Sequence, residues 1–296
     1  MLTSMLTSIT IYLNAMPLDR MRIPGPEDSK PPFVYETPSG VDVSNLVKTN
    51  GCRKDGRKAD HIRPMFIKCG IISQAQGSVY IEFNNTKVIC GVYGPREFGK
   101  REDFSMNGRL TCDFKFATFS CKQRRQHQQD AEEKELSQLL LQSLSPAVCL
   151  HKFPKAQVDI YVIILENDGS ALSAAVTCGS LALADAGIEM YDMVVACSAR
   201  KYFNSILLDP TAAEEIVPMK TNESVDEGEM TVAYMPSLNQ VSGLILKGEM
   251  HTQVCAQIMK SCLEGCNLIY PVLQQSLITS IRKSLSNVDL QGSKEL

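Results

Sequence analysis

The hydrophobic pattern of the chain alternates between strand-like and helix-like blocks. Short runs with alternating apolar and polar residues, separated by Gly or Asn, predict hairpins, because every second side chain of a strand faces the same side. Asn84-Asn85 is expected in one of the turns. The first block contains MFIKCGIIS, SVYIEFNN, TKVICGVYG and LTCDFKFATF, and the second contains MYDMVVACSARKYF, SILLD, MTVAYMP and QVSGLILKG.

Apolar residues at intervals of three and four positions predict helices. One spans about residues 131–148, and a second, SALSAAVTCGSLALADAG, follows the strand-like run QVDIYVIILE. A third runs from about Thr252 to Leu285, with Pro271 expected to kink or divide it. The apolar faces are Leu136, Leu139, Leu140 and Leu144 in the first helix, and Val254, Ile258, Ile269, Leu273, Leu277 and Ile281 in the third.

Strands followed by helices, twice over, predict an α+β fold of two similar halves rather than a doubly wound sheet. The halves are expected at residues 51–188 and 189–287. Residues 1–50 should form a flexible tail, within which residues 1–15 form an upstream extension if Met16 is a second start. Residues 288–296 should form a C-terminal tail, and a charged loop is expected from Pro95 to Asn107.

Composition narrows the possible functions. The net charge of −3 provides no global basic field, so any nucleic-acid contact requires a local patch. Eleven cysteines without a C-x-x-C pair disfavour a zinc ribbon and are typical of reduced, buried thiols. No apolar run reaches the roughly 18 residues of a membrane span, so no membrane partner is predicted. No cofactor or metal is predicted either.

The stretch NDGSALSAA, residues 167–175, is the clearest candidate site. It connects a predicted strand to a predicted helix, where backbone N–H groups can hold an anion. Ala171 and Leu172 cannot supply charge-assisted hydrogen bonds to phosphate, and the hydroxyl groups of Ser170 and Ser173 are weak ligands without a cation. The alternative is a plain helix N-terminus capped by Asp168 or Ser170.

An ordered series of motifs over about residues 50–285 resembles the RNase PH family. Within that family, the chain resembles the ring subunits of the eukaryotic RNA exosome in four sequence segments, LQSLSPAV, GIEMYDMVV, LNQVSGL and CNLIYPVLQQSL. The resemblance implies an RNase PH-like fold, also called ribosomal protein S5 domain 2-like, in a six-membered ring with S1/KH cap proteins on one face. The family motifs are matched by RKDGRKADHIRPMFIKCGIISQAQGSVYIEFNNTKVICGVYGPRE, ALADAGIEMYDMVVACS, LLDPTAAEE and EGEMTVAYMPSLNQVSGL.

The resemblance also implies a degenerate phosphorolytic site. The family turn reads roughly DGGTRTAA, and its phosphate-binding Thr and Arg match Ala171 and Leu172. Two RNA-binding arginine positions match Gln142 and Ser145, on what is otherwise a helix packed by its leucines. Glu229 falls near the place of a metal-binding Asp, and its extra methylene displaces the carboxylate by more than about 1 Å, which can cost roughly 10²-fold in rate. Asp209, Glu214 and Glu215 match the family's L-D-x-x-x-x-E-D run. The alternative for these acids, together with Glu227 and Glu229, is a solvated acidic edge.

A basic loop, Lys122-Gln123-Arg124-Arg125, follows a predicted strand. The resemblance implies that a loop at this place faces the RNA path, and Lys122, Arg124 and Arg125 could bind phosphates independently of sequence. The alternative is a solvated loop.

These observations predict a catalytically silent ring subunit. It would pair with another RNase PH-like subunit as a heterodimer, support an S1/KH-type cap subunit and contact RNA passing through the channel. Family membership implies rRNA maturation, RNA surveillance and mRNA turnover in the nucleus, nucleolus and cytoplasm. The alternatives are an active phosphate-dependent 3′→5′ exoribonuclease and a free-standing RNA-binding module.

Overall fold

The computed structural model describes residues 52–97, 107–202, 205–216 and 227–292. All of them belong to one compact unit, Gly40–Leu296. The tail predicted for residues 1–50, with its upstream extension, lies outside the described residues, as do residues 98–106 of the predicted charged loop.

The described residues form an α+β fold that confirms the predicted class. The strands are β1 Met65–Cys69, β2 Gly77–Phe83, β3 Thr86–Glu97, β4 Arg109–Phe116, β5 Ala156–Glu166, β6 Val195–Tyr202, β7 Ser205–Leu208, β8 Glu227–Met235 and β9 Gln240–Glu249. The α-helices are α1 Ala131–Leu144, α2 Ala171–Asp185, α3 Ala212–Glu215 and α4 Thr252–Gly292.

The first sheet has the strand order β1-β2-β3-β5-β4. β2 and β3 form the predicted hairpin, in which Phe83 pairs with Thr86 and Asn84 takes a left-handed conformation with φ 54°. β4 and β5 are parallel, so the chain must cross over between them, and α1 lies in that connection. Glu133 and Ser137 of α1 accept hydrogen bonds from the backbone N–H groups of Phe116 and Phe114 in β4.

The second sheet is antiparallel throughout, with the order β7-β6-β8-β9. Helix α2 contacts strands of both sheets, which requires it to be buried on nearly all sides. Its small residues permit this, and two of its hydroxyl groups accept hydrogen bonds from the start of the second sheet. Ala196 N–H donates to Thr177 Oγ1 and Val194 N–H donates to Ser180 Oγ. Because α2 packs against both sheets, they position its N-terminus relative to the strands of both.

Four helix predictions are corrected. Helix α1 ends at Leu144 rather than at residue 148, because Pro146 lies in a 3₁₀ turn, Ser145–Ala147. Helix α4 is continuous through Pro271, so this residue does not divide it, and residues 288–292, which were predicted as tail, are helical. Ile281 was predicted on the packed face of this helix but is 56% exposed, whereas Ile269 and Leu273 are buried.

Two expectations from composition can be compared with the structure. All eleven cysteines are free thiols. Within the part of the chain that is described, no helix is long and apolar enough to cross a membrane.

Candidate functional site

A buried arginine, Arg63, anchors the turn between β5 and α2. Arg63 donates hydrogen bonds to the carbonyl oxygens of Asp168 and Gly169, at 2.8 and 3.1 Å. Thr86 Oγ1 accepts a hydrogen bond from Asp168 N–H at 3.1 Å and donates one to Gly169 O at 3.0 Å. The turn is therefore fixed by long-range contacts together with its own Asn167, whose Oδ1 accepts a hydrogen bond from Gly169 N–H at 3.1 Å.

The same arginine binds the buried carboxylate of Asp209. Arg63 Nε and a terminal nitrogen donate to its two oxygens at 2.8 and 2.6 Å, and Arg63 N–H adds a third contact at 3.0 Å. Burial alone would raise the pKa of Asp209, but the hydrogen bonds and charge of Arg63, aided by Arg57, hold this pKa below its ordinary value. Asp209 therefore fastens residues 209–215, the acidic loop, to the turn.

Glu214 also has a structural role. It is buried, and it accepts a hydrogen bond from Thr211 N–H at 2.8 Å, which caps the N-terminus of the short helix α3. Arg53 lies 3.7 Å from the same carboxylate oxygen. Gly169 packs directly against this loop: a Cβ atom added there would lie 2.5 Å from Pro210 O.

Glu215, the next residue, reaches the N-terminus of α2. Its Oε1 atom accepts a hydrogen bond from Ser170 N–H at 2.6 Å. Burial and the nearby charge of Glu229 raise the pKa of Glu215 to about 7, against the opposing effects of this hydrogen bond and of the charges of Arg63 and Arg200. The sequence-based alternative of capping by Asp168 or Ser170 is wrong. The Asp168 carboxylate accepts from Asn85 Nδ2, and Ser170 Oγ donates to Pro210 O.

A cavity of about 120 Å³ opens at this helix N-terminus. It brings together the predicted positions Ala171, Leu172 and Glu229, with Glu215 beside them. The charged groups that line it are Glu132 of α1, Glu215 of α3, Glu229 of β8 and Lys247 of β9. Arg125 pairs with Glu132, and Glu215 has a pKa of about 7, so the three carboxylates and one ammonium offer an incoming phosphate no net positive charge.

Gln142 and Ser145 are not brought to the cavity. Gln142 is exposed on α1, and Ser145 follows the last residue of that helix, whereas the cavity is lined by Glu132 and Leu136 near its start. The sequence grouped these two positions with Ala171 and Leu172, but the structure separates them within this chain.

Two carboxylates of the cavity, those of Glu215 and Glu229, are its candidate ligands for a divalent cation. Mg²⁺ prefers several oxygen ligands in near-octahedral geometry. Glu215 and Glu229 face the cavity, but Glu215 is engaged by Ser170 N–H. Among the described residues, no group of three or more His, Cys, Asp or Glu side chains could hold a metal ion.

The basic loop divides into an internal and an external part. Arg125 is engaged: it donates to Glu132 Oε2 at 2.9 Å and to Cys121 Sγ at 3.3 Å, and its guanidinium lies 4.1 Å above the ring of Phe116. Lys122 and Arg124 are exposed. The loop therefore presents two of the three predicted RNA-binding cations, while Arg125 holds it against α1.

Sequence reasoning missed three residues of this region. Arg63 had no local signal, because its partner Asp209 lies 146 residues away. Glu215 was grouped with the acidic motif, but nothing in the motif indicated that it reaches Ser170. Phe119 was placed at the end of a strand, and instead it is 73% exposed beside the basic loop.

The two-sheet fold, its shared buried helix and the strand–turn–helix site define a protein of the RNase PH-like class. Residues 61–189 match the model of the 3′ exoribonuclease family, domain 1, RNase_PH. The chain is 42% identical over 284 residues to exosome complex component MTR3 of Homo sapiens, covering 90% of this chain and 97% of that protein. The chain belongs to the RNase PH family, in the group that includes exosome complex component MTR3.

More distant relatives agree with this assignment. Exosome complex component Rrp41 of Cenarchaeum symbiosum (strain A) is 34% identical over 233 residues, which cover 78% of this chain and 93% of that protein. A solved structure of an Archaeoglobus fulgidus exosome with RNA bound to the active site has the same fold, with a TM-score of 0.66 and 19% identity. The match covers 77% of this chain and 94% of the archaeal chain.

Proposed function

We propose that the chain is a non-catalytic subunit of an RNA exosome ring, which supports 3′→5′ RNA processing and degradation by channelling RNA. The observation that carries this proposal is the cavity at the N-terminus of α2. Ala171 and Leu172 stand where the family has its phosphate ligands, and neither side chain can bind phosphate. The backbone N–H of Ser170, just before the helix, is bound by the carboxylate of Glu215.

The chemistry of phosphorolysis makes this cavity unsuitable for catalysis. The attacking phosphate must be held by cations and hydrogen-bond donors, which fix and orient its charge. Here the carboxylates of Glu132, Glu215 and Glu229 face the space instead. Asp209, another acid of the same region, is fully engaged by Arg63. The surviving groups therefore support the fold rather than the reaction.

The isolated chain should show no phosphate-dependent RNA degradation. Purified chain would be incubated with single-stranded RNA, phosphate and Mg²⁺, and the release of nucleoside diphosphates would be compared with that of a mock preparation. An active RNase PH-family enzyme provides the positive control. Release above the mock level that disappears in Glu229→Ala would show that catalysis survives and would refute the non-catalytic proposal.

Partnership with other ring subunits is supported by two separate apolar surfaces. On the open face of the first sheet, Tyr161 and Ile163 are 43% and 40% exposed. On β9, which ends the order of the second sheet, Leu244 and Leu246 are 53% and 46% exposed. Exposed apolar patches and sheet edges mark protein interfaces.

Surfaces on two different sheets suit a subunit that contacts a neighbour on each side. Relatives of this chain are exosome complex components. We therefore assign the chain to a heterodimer with another RNase PH-like subunit, within a six-membered ring that also carries an S1/KH-type cap subunit. Membership of this assembly would involve the chain in rRNA maturation, RNA surveillance and mRNA turnover. We expect a fluorescently tagged chain to be found in the nucleus, nucleolus and cytoplasm.

The external part of the basic loop is the candidate RNA contact. Lys122 and Arg124 offer two cations for phosphates, and Phe119 offers an exposed ring on which a base could stack. The loop that presents them is ordered by internal bonds. Asn167 N–H donates to Ser120 O at 2.9 Å, and Arg125 N–H donates to Thr118 O at 3.1 Å.

Reversing both exposed charges, Lys122→Glu with Arg124→Glu, should weaken RNA retention by the assembled ring at low salt. Losing two phosphate contacts on single-stranded RNA should reduce the slope of log affinity against log salt by about 1.4. RNA binding to the reconstituted ring would be measured by filter retention across a salt series.

The matched control is Lys54→Glu with Lys58→Glu, which makes the same charge change at exposed positions of another loop. Arg125 must be left intact, because its contacts with Glu132 and Phe116 hold the loop. Equal salt slopes for the wild-type ring and the Lys122/Arg124 variant would exclude this loop from the RNA path.

A further inference from the structure

A second basic segment lies far from the cavity, just before β5. Residues 151–155 read His-Lys-Phe-Pro-Lys, and all of them except Phe153 are exposed. The cavity lies beyond the other end of β5, a strand of eleven residues. At a rise of about 3.3 Å per residue, the two ends of this strand are roughly 33 Å apart. The second basic segment is therefore separate from the candidate site.

The second basic segment is attached to its surroundings by backbone and packing contacts. Gly108 N–H donates to Leu150 O at 2.8 Å. Phe153 packs against the same glycine: a Cβ atom added to Gly108 would lie 2.7 Å from the Phe153 ring. Val148 pairs with Met190 in an isolated β-bridge. These contacts join residues 148–153 to the start of β4 on one side and to residues 189–191 on the other.

An exposed aromatic ring lies beside the second basic segment. Tyr191 is 58% exposed, and its ring stacks on His151 with a centroid distance of 6.5 Å and an interplanar angle of 28°. Its backbone is fixed, because Tyr191 N–H donates to Ala147 O at 2.8 Å. An exposed ring can stack on a nucleic-acid base of any sequence.

Three cations surround this ring. Lys152 and Lys155 belong to the segment, and Arg109, next to Gly108, is exposed at the start of β4. Lys152 pairs with Glu189 at the surface, and an exposed pair of this kind is weak enough for a phosphate to replace the carboxylate. The other nearby carboxylates are exposed Glu97, Asp159, which pairs with Arg96, and buried Asp192, which accepts hydrogen bonds from Ser237 and Tyr270.

The position of the second basic segment relates it to the basic loop of residues 122–125. Strand β4 ends the order of the first sheet. Arg109 begins β4, and the basic loop follows the end of this strand. Two basic segments therefore lie near opposite ends of one edge strand. Exposed cations combined with an exposed ring suit single-stranded nucleic acid, which presents a phosphate and a base at every nucleotide.

We propose that residues 151–155, with Tyr191 and Arg109, form a second contact for single-stranded RNA, in which the cations bind phosphates and Tyr191 stacks on a base. This inference rests on the proposed function, because it extends the RNA path from the basic loop along β4. Binding of this kind is independent of RNA sequence and sensitive to salt.

The phosphate contacts are tested by Lys152→Gln with Lys155→Gln in the reconstituted ring. Removing two contacts to single-stranded RNA should reduce the slope of log affinity against log salt by about 1.4. RNA binding would be measured by filter retention across a salt series. The matched control is Lys54→Gln with Lys58→Gln, at exposed positions of another loop, and it should keep the wild-type slope. A wild-type slope for the Lys152/Lys155 variant would overturn the proposal.

The stacking contact is tested by comparing Tyr191→Leu with Tyr191→Phe. Leucine removes the ring and should weaken RNA binding by about tenfold, whereas phenylalanine keeps the ring and should change it by less than about twofold. Equal binding by the two variants would refute stacking on Tyr191. Loss of a neighbouring protein from the purified ring of Tyr191→Leu, with RNA binding unchanged, would assign this surface to a protein contact and would also overturn the proposal.

A measurement on the wild-type ring needs no variant. RNA bound to the ring would be cross-linked by ultraviolet light, and the attached peptides would be identified by mass spectrometry. We expect a cross-link at Tyr191 as well as in the basic loop. Cross-links in the basic loop without one at Tyr191 would overturn this inference and leave the proposed channelling of RNA intact. A wild-type ring that retains no RNA would refute both.

Discussion

Replacing Arg63 with methionine is expected to destabilise the protein by about 3–5 kcal/mol, the range for breaking a buried ion pair from one side. Methionine keeps much of the aliphatic volume but removes the bonds to Asp209, Asp168 O and Gly169 O. Asp209 is 4% exposed, so its charge would remain buried without a hydrogen-bonded partner, with Arg57 at 3.6 Å and Arg53 near its backbone carbonyl as the remaining cations. Urea denaturation at pH 8 measures the loss.

The loss should depend on pH in a defined direction. In the wild-type chain the lowered pKa of Asp209 contributes stability that is present above its unfolded pKa and is lost as pH falls through the folded pKa. Without Arg63, the effect of burial should raise this pKa, so that Asp209 takes up a proton more readily as the pH falls instead of remaining a buried charge. The deficit of Arg63→Met should therefore be smaller at pH 5 than at pH 8.

An exposed ion pair provides the matched control. Lys87 and Glu166 approach to 2.7 Å at the surface, and Lys87→Met should cost no more than about 1 kcal/mol. A similar cost for Lys87→Met and Arg63→Met would mean that the Arg63–Asp209 pair does not fasten the acidic loop to the turn.

The periodic parts of the fold were predictable from the sequence because their signals are local. The alternation of SVYIEFNN and TKVICGVYG predicted the hairpin, and Asn84 and Asn85 form its turn. The leucine stripe of α1 was also correct, since Leu136, Leu140 and Leu144 are buried. Local patterns fail where packing decides, as in α4, which continues through Pro271 and leaves Ile281 exposed.

The candidate site was predictable only as a set of chemical types. Ala171 and Leu172 do line the cavity, and their inability to bind phosphate follows from their side chains. The contact between Glu215 and Ser170 joins residues 45 positions apart, and its existence depends on how α3 is anchored. The engagement of Arg125 likewise depends on Phe116 and Glu132, which the sequence does not mark as its partners.

Gly169→Ala is expected to destabilise the protein by roughly 3–5 kcal/mol, through backbone strain together with overpacking. Gly169 has φ +88°, a conformation that costs an alanine about 1–2 kcal/mol. An added Cβ would also lie 2.5 Å from Pro210 O and 2.6 Å from Ala212 N, so the acidic loop must move. That movement should break the bond from Ser170 N–H to Glu215 and lower the hydrogen-exchange protection of the Ser170 amide.

Gly70→Ala separates strain from contact. Gly70 has a similar left-handed conformation, φ +70°, but no heavy atom would lie within 4 Å of a Cβ atom added there. Its replacement should therefore cost only about 1–2 kcal/mol and leave Ser170 protected. Urea denaturation and hydrogen exchange would be compared for the two variants. Equal losses of stability, with the protection of the Ser170 amide unchanged in both variants, would contradict this prediction. They would mean that the contact between Glu215 and Ser170 does not depend on the packing of the acidic loop against Gly169.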